Sequence, residues 1–88
     1  MQLSELLPLL NIEIKTASVK YGPFHNSHEH YAVLQEEVDE WWDTVKDNTS
    51  GTSQSHYELL QVAAVALRYL MENGSAKNIE LIQKTRYR

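Results

Sequence analysis

The segment that decides the fold is SHEHYAVLQEEVDEWWDTVK, residues 27–46. Its apolar residues recur at spacings of three and four, which is the pattern of one face of an amphipathic helix. These residues are Tyr31, Leu34, Val38, Trp41, Trp42 and Val45. Asn26 or Ser27 is a suitable N-cap, and Asn26 with Glu29 three residues later resembles a capping box. The segment therefore predicts a helix that packs its apolar stripe against other helices.

Two more long helices are predicted on either side of it. Apolar side chains recur at helical spacing over residues 4–20, and Gly22 followed by Pro ends this first helix. A third helix over residues 55–73 is apolar on nearly every side, and Gly74 ends it. Such a helix belongs in the middle of the structure, covered by its neighbours or by another subunit.

The remaining residues link and follow these helices. Residues 47–56 are rich in Ser, Thr and Asn and are interpreted as a mobile connecting loop. Residues 75–83 allow a short fourth helix, and the basic tail at 84–88 is expected to be a frayed, solvated end rather than a lid over a ligand. We predict one all-α domain over residues 1–88, an antiparallel bundle of three to four helices. Because 88 residues form a marginal core, we expect oligomerisation to complete it.

Negative charge is concentrated in the second helix. Six of the 12 acidic residues lie between Glu36 and Asp47, where Lys46 is the single basic residue. Like charges one helical turn apart repel by about 0.2–0.5 kcal/mol per pair, so folding alone gives no reason to collect them. Glu37 and Glu40 lie beside the apolar stripe, where a cation at the margin of the core would offset this repulsion. A solvated acidic face is the alternative interpretation.

The third helix carries a matching set of polar side chains along one narrow strip: Glu58, Gln61, Arg68 and Glu72. A carboxylate on such an apolar helix needs a partner. Glu37 and Glu40 form an i, i+3 pair, and so do Glu58 and Gln61. Two such pairs can face each other on antiparallel helices. Their oxygen ligands suit Mg²⁺, with Mn²⁺ as the second choice.

Several side chains have competing interpretations. Arg68 could contact a phosphate or pair with Glu72 four residues later. Trp42 could stack on a nucleobase, although its place in the apolar stripe favours the core or a subunit interface. Arg68 and Trp42 are therefore the candidates for substrate binding. The histidines at 25, 28 and 30 lack the i, i+4 pairing of many zinc-binding helices, so capping or loop contacts are favoured for them.

The composition argues against several classes of protein. The net charge of −4 argues against general binding to nucleic acid, and the absence of Cys excludes disulfides and thiolate metal sites. The N-terminal leucines are interrupted by Glu5 and Pro8 and lack a basic leader, so we expect no signal peptide. No segment is apolar enough to span a membrane. We expect a cytoplasmic protein that binds neither nucleic acid nor membranes.

Two motifs together resemble a known family. The segment EEVDE at residues 36–40, followed after 17 residues by ELLQ at 58–61, is similar to the paired E-E-x-x-E and E-x-x-D signature of MazG-like, all-α nucleoside triphosphate pyrophosphohydrolases. The neighbouring segments HEHYAVL and QVAAVALR also resemble small phage and integron-cassette members. The likeness covers about residues 24–70.

The resemblance implies an activity and a set of roles. Members of the family are helical dimers, or dimers of dimers, that bind magnesium and cleave a nucleoside triphosphate between its α and β phosphates. The products are a monophosphate and pyrophosphate. On this resemblance Glu37, Glu40 and Glu58 are metal ligands together with Gln61. Glu36 holds a second ion or a water, or acts as the catalytic base.

Gln61 departs from the signature, which has Asp at this position. An amide oxygen can coordinate a metal but brings no charge, so the site loses one anionic ligand. The leading hypothesis remains a magnesium-dependent pyrophosphohydrolase. The alternative is a catalytically impaired relative that binds a nucleotide or a protein, and a third hypothesis is an antitoxin-like regulatory module.

Overall fold

The computed structural model describes residues 1–86, apart from the side chain of Ala76, and folds them into four helices. The helices are α1 (Leu3–Tyr21), α2 (Ser27–Lys46), α3 (Ser53–Asn73) and α4 (Ala76–Arg86). No strand is present in this part of the chain, so the all-α prediction is confirmed. Within the same residues, no helix is both long enough and apolar enough to cross a membrane.

Capping side chains set the starts of α2 and α3. Asn26 Oδ1 accepts a hydrogen bond from the backbone N–H of Glu29 at 2.9 Å, and α2 begins where the sequence predicted. Thr52 Oγ1 accepts one from the backbone N–H of Ser55 at 3.2 Å. Because Thr52 is the cap, α3 begins two residues earlier than predicted, and the connecting loop is limited to residues 47–52.

The last helix is longer than the sequence predicted. α4 continues to Arg86, beyond the predicted end at residue 83. Lys84 pairs with Glu80 one turn earlier, with 3.6 Å between Nζ and Oε1. Such an i, i+4 pair supports the last turn of a helix. The expected frayed end is therefore wrong for residues 84–86, while Tyr87 and Arg88 lie outside the described residues.

α2 and α3 form an antiparallel hairpin. Near the connecting loop, the hydroxyls of Thr44 and Ser55 are 2.7 Å apart. At the other end of the hairpin, His30 Nε2 donates to the carbonyl of Val65 at 3.2 Å. The two helices therefore run in opposite directions, as a short connecting loop requires.

α1 packs against the other side of α3 and runs parallel to it. Leu10 shares a groove with Leu59 near the start of α3, whereas Tyr21 shares a cavity with Arg68 near its end. Within residues 1–86, the backbones of α1 and α2 do not approach each other, and the backbone of α4 does not approach those of the other helices. The result is a cleft between α1 and α2 whose floor is α3.

Few side chains in this fold are fully buried. The buried hydrophobic residues within the described chain are Ile14, Ala64 and Val65. The predicted stripe of α2 is only partly covered, since Trp42 is 50% exposed and Tyr31 is 67% exposed. The chain alone also leaves part of α3 uncovered, at Tyr57, Leu59, Leu67, Leu70 and Met71. The central position predicted for α3 is correct, but its coverage by this one chain is incomplete.

A buried hydrogen bond ties α2 to α3. The Thr44 hydroxyl donates to the carbonyl of Trp41 at 2.6 Å, so the hydroxyl of Ser55, which is 1% exposed, donates to Thr44 Oγ1. Ser55→Ala would leave this oxygen without its donor. We expect the free energy of unfolding to fall by about 1–2 kcal/mol, measured by chemical denaturation.

Ser53→Ala is the matched control for this prediction. Ser53 lies at the first position of α3 and is exposed. The control should change the free energy of unfolding by less than about 0.5 kcal/mol. Equal losses in the two variants would show that the buried hydrogen bond contributes nothing specific.

Candidate metal centre

Three glutamate side chains converge where α2 passes α3. Glu37 and Glu40 lie one turn apart on α2, and Glu58 lies on α3. One carboxylate oxygen from each lies within 4.8 Å of the other two, and we call these three residues the glutamate cluster. The i, i+3 spacing and the antiparallel hairpin bring them together, as the sequence predicted. Gln54 also orients Glu58, because its Nε2 donates to Glu58 Oε1 at 2.7 Å.

The glutamate cluster is electrostatically unfavourable without a cation. Burial, followed by the charges of Glu40 and Glu58, raises the pKa of Glu37 from 4.5 to about 7. Burial and the charge of Glu58 also raise the pKa of Glu40. Shifts in this direction occur when like charges share a partly buried site. Carboxylate oxygens are ligands that Mg²⁺ and Mn²⁺ prefer, so the three donors fit a divalent cation.

A cavity of about 490 Å³ lies in the cleft between α1 and α2. Glu36, Glu37 and Glu40 line it, and so do Phe24 and Arg68. Gln61 and Arg68, which line it from α3, are seven residues apart, which is about 10 Å along a helix at about 1.5 Å per residue. The cavity therefore extends along α3 from Gln61 to Arg68, with Glu37 and Glu40 lining it from α2, while Glu58 is not among its lining residues. Its volume lies within the range of about 300–1,000 Å³ that small-molecule sites have.

Arg68 is a buried cation with unpaired N–H groups. The residue is 5% exposed, and its Nε and Nη1 have no hydrogen-bond partner within the described chain. Its Cζ lies 4.1 Å from the centre of the Phe24 ring. Glu72, which was the alternative partner for Arg68, instead accepts a hydrogen bond from the backbone N–H of Phe24 at 3.1 Å. Because burying unpaired polar groups costs free energy, this guanidinium is suited to an anionic ligand in the cavity.

Gln61 lines the same cavity and contacts a residue that the sequence analysis missed. Its Nε2 donates to Glu13 Oε2 of α1 at 2.7 Å. A signal for Glu13 was present, since it lies three residues after Leu10 and four before Ala17, among the inward-facing positions of α1. A charged residue at an inward-facing position is rarely buried without a partner, so its position predicts a specific contact.

The other candidates lie in different surroundings. Glu36 lines the cavity with an exposed side chain, whereas Trp42 is not among the residues that line it. His25 bonds to Glu29 at 2.6 Å, which is a loop contact of the predicted kind. His30 stacks on an aromatic ring of α3 with 4.3 Å between the ring centroids. From residue 1 to residue 86, no group of three potential metal ligands includes a histidine.

The cavity thus borders two carboxylates of a cluster that can hold a divalent cation, Glu37 and Glu40, and a guanidinium that can bind an anion. A ligand that suits both features carries several negative charges and itself associates with a divalent cation. Phosphate chains have both properties. In comparisons with models of protein families, with curated proteins and with solved structures, nothing matches this chain.

The raised pKa of Glu37 predicts a pH dependence. Between about pH 4.5 and about pH 7, Glu37 is protonated in the folded chain but ionised in the unfolded chain. The contribution of Glu37 to the stability of the metal-free fold is therefore largest below about pH 4.5 and is lost as the pH rises to about 7. Thermal unfolding of the metal-free protein should therefore show a stability that declines as the pH rises through this range. Glu37→Gln should remove this part of the decline.

The same proton competes with a cation. We expect the apparent affinity for Mn²⁺, measured by calorimetry, to fall about tenfold for each pH unit below about 7, because one proton must be released on binding. An affinity that does not change over this range would contradict the assignment of Glu37 as a ligand.

Proposed function

We propose that this protein is a magnesium-dependent nucleoside triphosphate pyrophosphohydrolase of the cytoplasm. The observation that carries the proposal is that one cavity is lined by Glu37 and Glu40 of the glutamate cluster and by the buried Arg68, whose Nε and Nη1 have no hydrogen-bond partner within the described chain. A nucleoside triphosphate has a chain of negative charges and binds Mg²⁺, so it suits both. The resemblance of residues 36–40 and 58–61 to the MazG-like motifs supports cleavage between the α and β phosphates.

Each residue of the site then has a role. The glutamate cluster would hold the cation, and Gln61, which lines the same cavity, would offer an uncharged oxygen. A bound Mg²⁺ neutralises phosphate charge and lowers the pKa of an attacking water. Glu36, exposed at the cavity, accepts the proton of the water that attacks the α phosphorus. The bond from that phosphorus to the bridging oxygen breaks, and pyrophosphate leaves.

Arg68 binds the phosphate oxygens in this proposal. A guanidinium can donate two parallel hydrogen bonds to a phosphate, and those bonds are stronger in a buried site than in water. The Phe24 ring lies against the guanidinium and limits its movement. Arg68 is thereby held ready for an anion before the substrate arrives, which lowers the cost of binding.

Product analysis tests the proposal. The protein is incubated with a panel of ribonucleoside and deoxyribonucleoside triphosphates, with Mg²⁺, with Mn²⁺ or with a chelator. We expect monophosphate and pyrophosphate in equal amounts, and only when a cation is present. Formation of diphosphate and orthophosphate would place the cleavage at the wrong bond, and no turnover of any triphosphate would contradict hydrolysis.

A nucleotide-binding module without turnover is the second candidate function. The observation that favours it is that Gln61 brings no negative charge to the site and that its amide is already bonded to Glu13. Calorimetric titration with a triphosphate and Mg²⁺ separates the two functions. This candidate predicts binding of the nucleotide with no product after prolonged incubation.

We also propose that two or four copies of the chain associate. A core of so few buried hydrophobic side chains does not balance the conformational entropy of the ordered chain. Apolar side chains on the outer stripe of α1 are exposed: Leu9 (47%), Ile12 (58%) and Val19 (89%). On α4, Ile79, Leu81 and Ile82 are 49–61% exposed. A second copy that covers such surfaces would complete the core.

Ile12→Glu tests this association. In an oligomer that uses the outer stripe of α1, the buried charge should shift the mass measured by light scattering from a multiple of 10.2 kDa to 10.2 kDa. In a monomer the same surface change should alter the free energy of unfolding by less than about 0.5 kcal/mol. Ser18→Glu, at an exposed polar position of α1 away from the stripe, is the control and should keep the wild-type mass.

A further inference from the structure

Glu13 is a half-buried acidic residue on α1 whose carboxylate reaches α3. Its Oε2 is 2.7 Å from Gln61 Nε2, and this hydrogen bond connects residues 48 positions apart in the chain. The roles proposed above for the glutamate cluster, Glu36 and Arg68 do not use Glu13. A carboxylate placed beside an already acidic site adds repulsion, so its position requires an explanation.

The chemistry of the two groups fixes the orientation of the Gln61 amide. An ionised carboxylate has no hydrogen to donate, so the Gln61 atom that contacts Glu13 must be the NH₂ group. The other end of the amide, Oε1, is then the end that can face the cavity that Gln61 lines. Without Glu13, either end could occupy that place. In the reversed orientation the NH₂ group would face a cation, and the two would repel each other.

The charge of Glu13 also acts on the phenol of Tyr57. Burial raises the pKa of Tyr57, and the charges of Glu13, Glu58 and Glu37, in that order, raise it further, whereas a hydrogen bond with the side chain of Gln61 lowers it. Two of these three carboxylates belong to the glutamate cluster. The carboxylate of Glu13 is therefore part of the electrostatic surroundings of the candidate metal centre, although it is not one of the three convergent ligands.

We propose that Glu13 is a positioning residue of the metal centre, which holds Gln61 with its Oε1 turned towards the glutamate cluster. The inference rests on the proposed function, because it assigns Glu13 a role in cation binding. Partners that orient a metal ligand typically change metal affinity or activity by about 10- to 100-fold when they are replaced. Glu13→Met, which keeps the length of the side chain and removes the acceptor, should weaken Mn²⁺ binding by at least about tenfold.

An exchange of the two side chains gives the sharper test. Mn²⁺ affinity is measured by paramagnetic resonance of the free ion in the wild type, Glu13→Gln, Gln61→Glu and the double variant. The Gln61→Glu variant brings two carboxylates together, whereas the double variant restores an amide that donates to a carboxylate. We expect the double variant to bind Mn²⁺ at least about tenfold more tightly than the two single changes would predict if their effects were independent.

The controls separate this inference from the function on which it rests. Glu5→Gln makes the same chemical change on α1 and still accepts the capping hydrogen bond from Gln2, so it should leave the Mn²⁺ affinity unchanged. Wild-type protein that binds no Mn²⁺ would overturn the metal centre and this inference together. Wild-type binding that is unchanged in Glu13→Met, or independent effects in the double variant, would overturn this inference alone. So would a loss of metal-free stability in Glu13→Met with an unchanged Mn²⁺ affinity, because that result indicates a structural role.

Discussion

Glu40→Gln is expected to lower the rate of pyrophosphate release by more than about 100-fold, because even residues that only orient a metal ligand change activity by about 10- to 100-fold. Glu40 contributes one of the three convergent carboxylates, and glutamine keeps its size while removing its charge. The metal-free variant should be at least as stable as the wild type, because the change removes a repelling charge from the cluster. The measurements are pyrophosphate release with Mg²⁺ and denaturation with a chelator.

Asp39→Asn is the matched control for this result. Asp39 is next to Glu40 in the chain, but its carboxylate is exposed and accepts a hydrogen bond from Gln35 Nε2 at 3.0 Å. The control removes one negative charge from α2 without altering the glutamate cluster, so its rate should stay close to the wild-type rate. Full turnover in Glu40→Gln, or an equal loss in both variants, would rule out the glutamate cluster as the metal centre of the reaction.

Arg68→Met is expected to raise the KM for the triphosphate by about 10- to 100-fold, because a hydrogen bond to a charged group contributes about 1.5–3 kcal/mol. The free energy of unfolding should not fall. Methionine can pack against the Phe24 ring that now lies 4.1 Å from the guanidinium, and it removes buried N–H groups that have no partner in the described chain. Steady-state kinetics and chemical denaturation measure the two effects.

Arg68→Lys separates the charge of the side chain from its shape. Lysine keeps the positive charge but cannot donate two parallel hydrogen bonds to one phosphate, so its KM should lie between those of the wild type and Arg68→Met. A large loss of stability in Arg68→Met with an unchanged KM would show that the guanidinium serves packing against Phe24 and not phosphate binding.

The parts of the fold that depend on local signals could be predicted from the sequence. The bounds of α2 follow from Asn26 as its cap and from the periodicity of its apolar residues, and both bounds are confirmed. The start of α3 was predicted too late, because Thr52 caps the helix within a segment whose composition is typical of a loop. Helical periodicity marks which face of a helix is apolar, but not whether this chain or another one covers it, so the exposure of Trp42 could not be predicted.

The candidate site could be predicted only where it depends on the spacing of residues within a helix and on the antiparallel hairpin. Glu37, Glu40 and Glu58 converge because their spacing and the antiparallel hairpin require it. The contact between Glu13 and Gln61 depends on how α1 sits against α3, and a single acidic residue on α1 gives no spacing from which to infer a partner. The Phe24 ring above Arg68 likewise depends on the path of the loop between α1 and α2, which no periodic pattern specifies.

The position of the glutamate cluster has a consequence for the order of folding. All three carboxylates lie on the α2–α3 hairpin, whose two helices are neighbours in the sequence. Contacts between segments that are close in sequence are typical of proteins that fold rapidly. Closing this hairpin brings the three charges together, so a proton or a divalent ion should speed its formation and slow its opening. α1 supplies none of the three carboxylates, and its docking can therefore follow as a separate, later event.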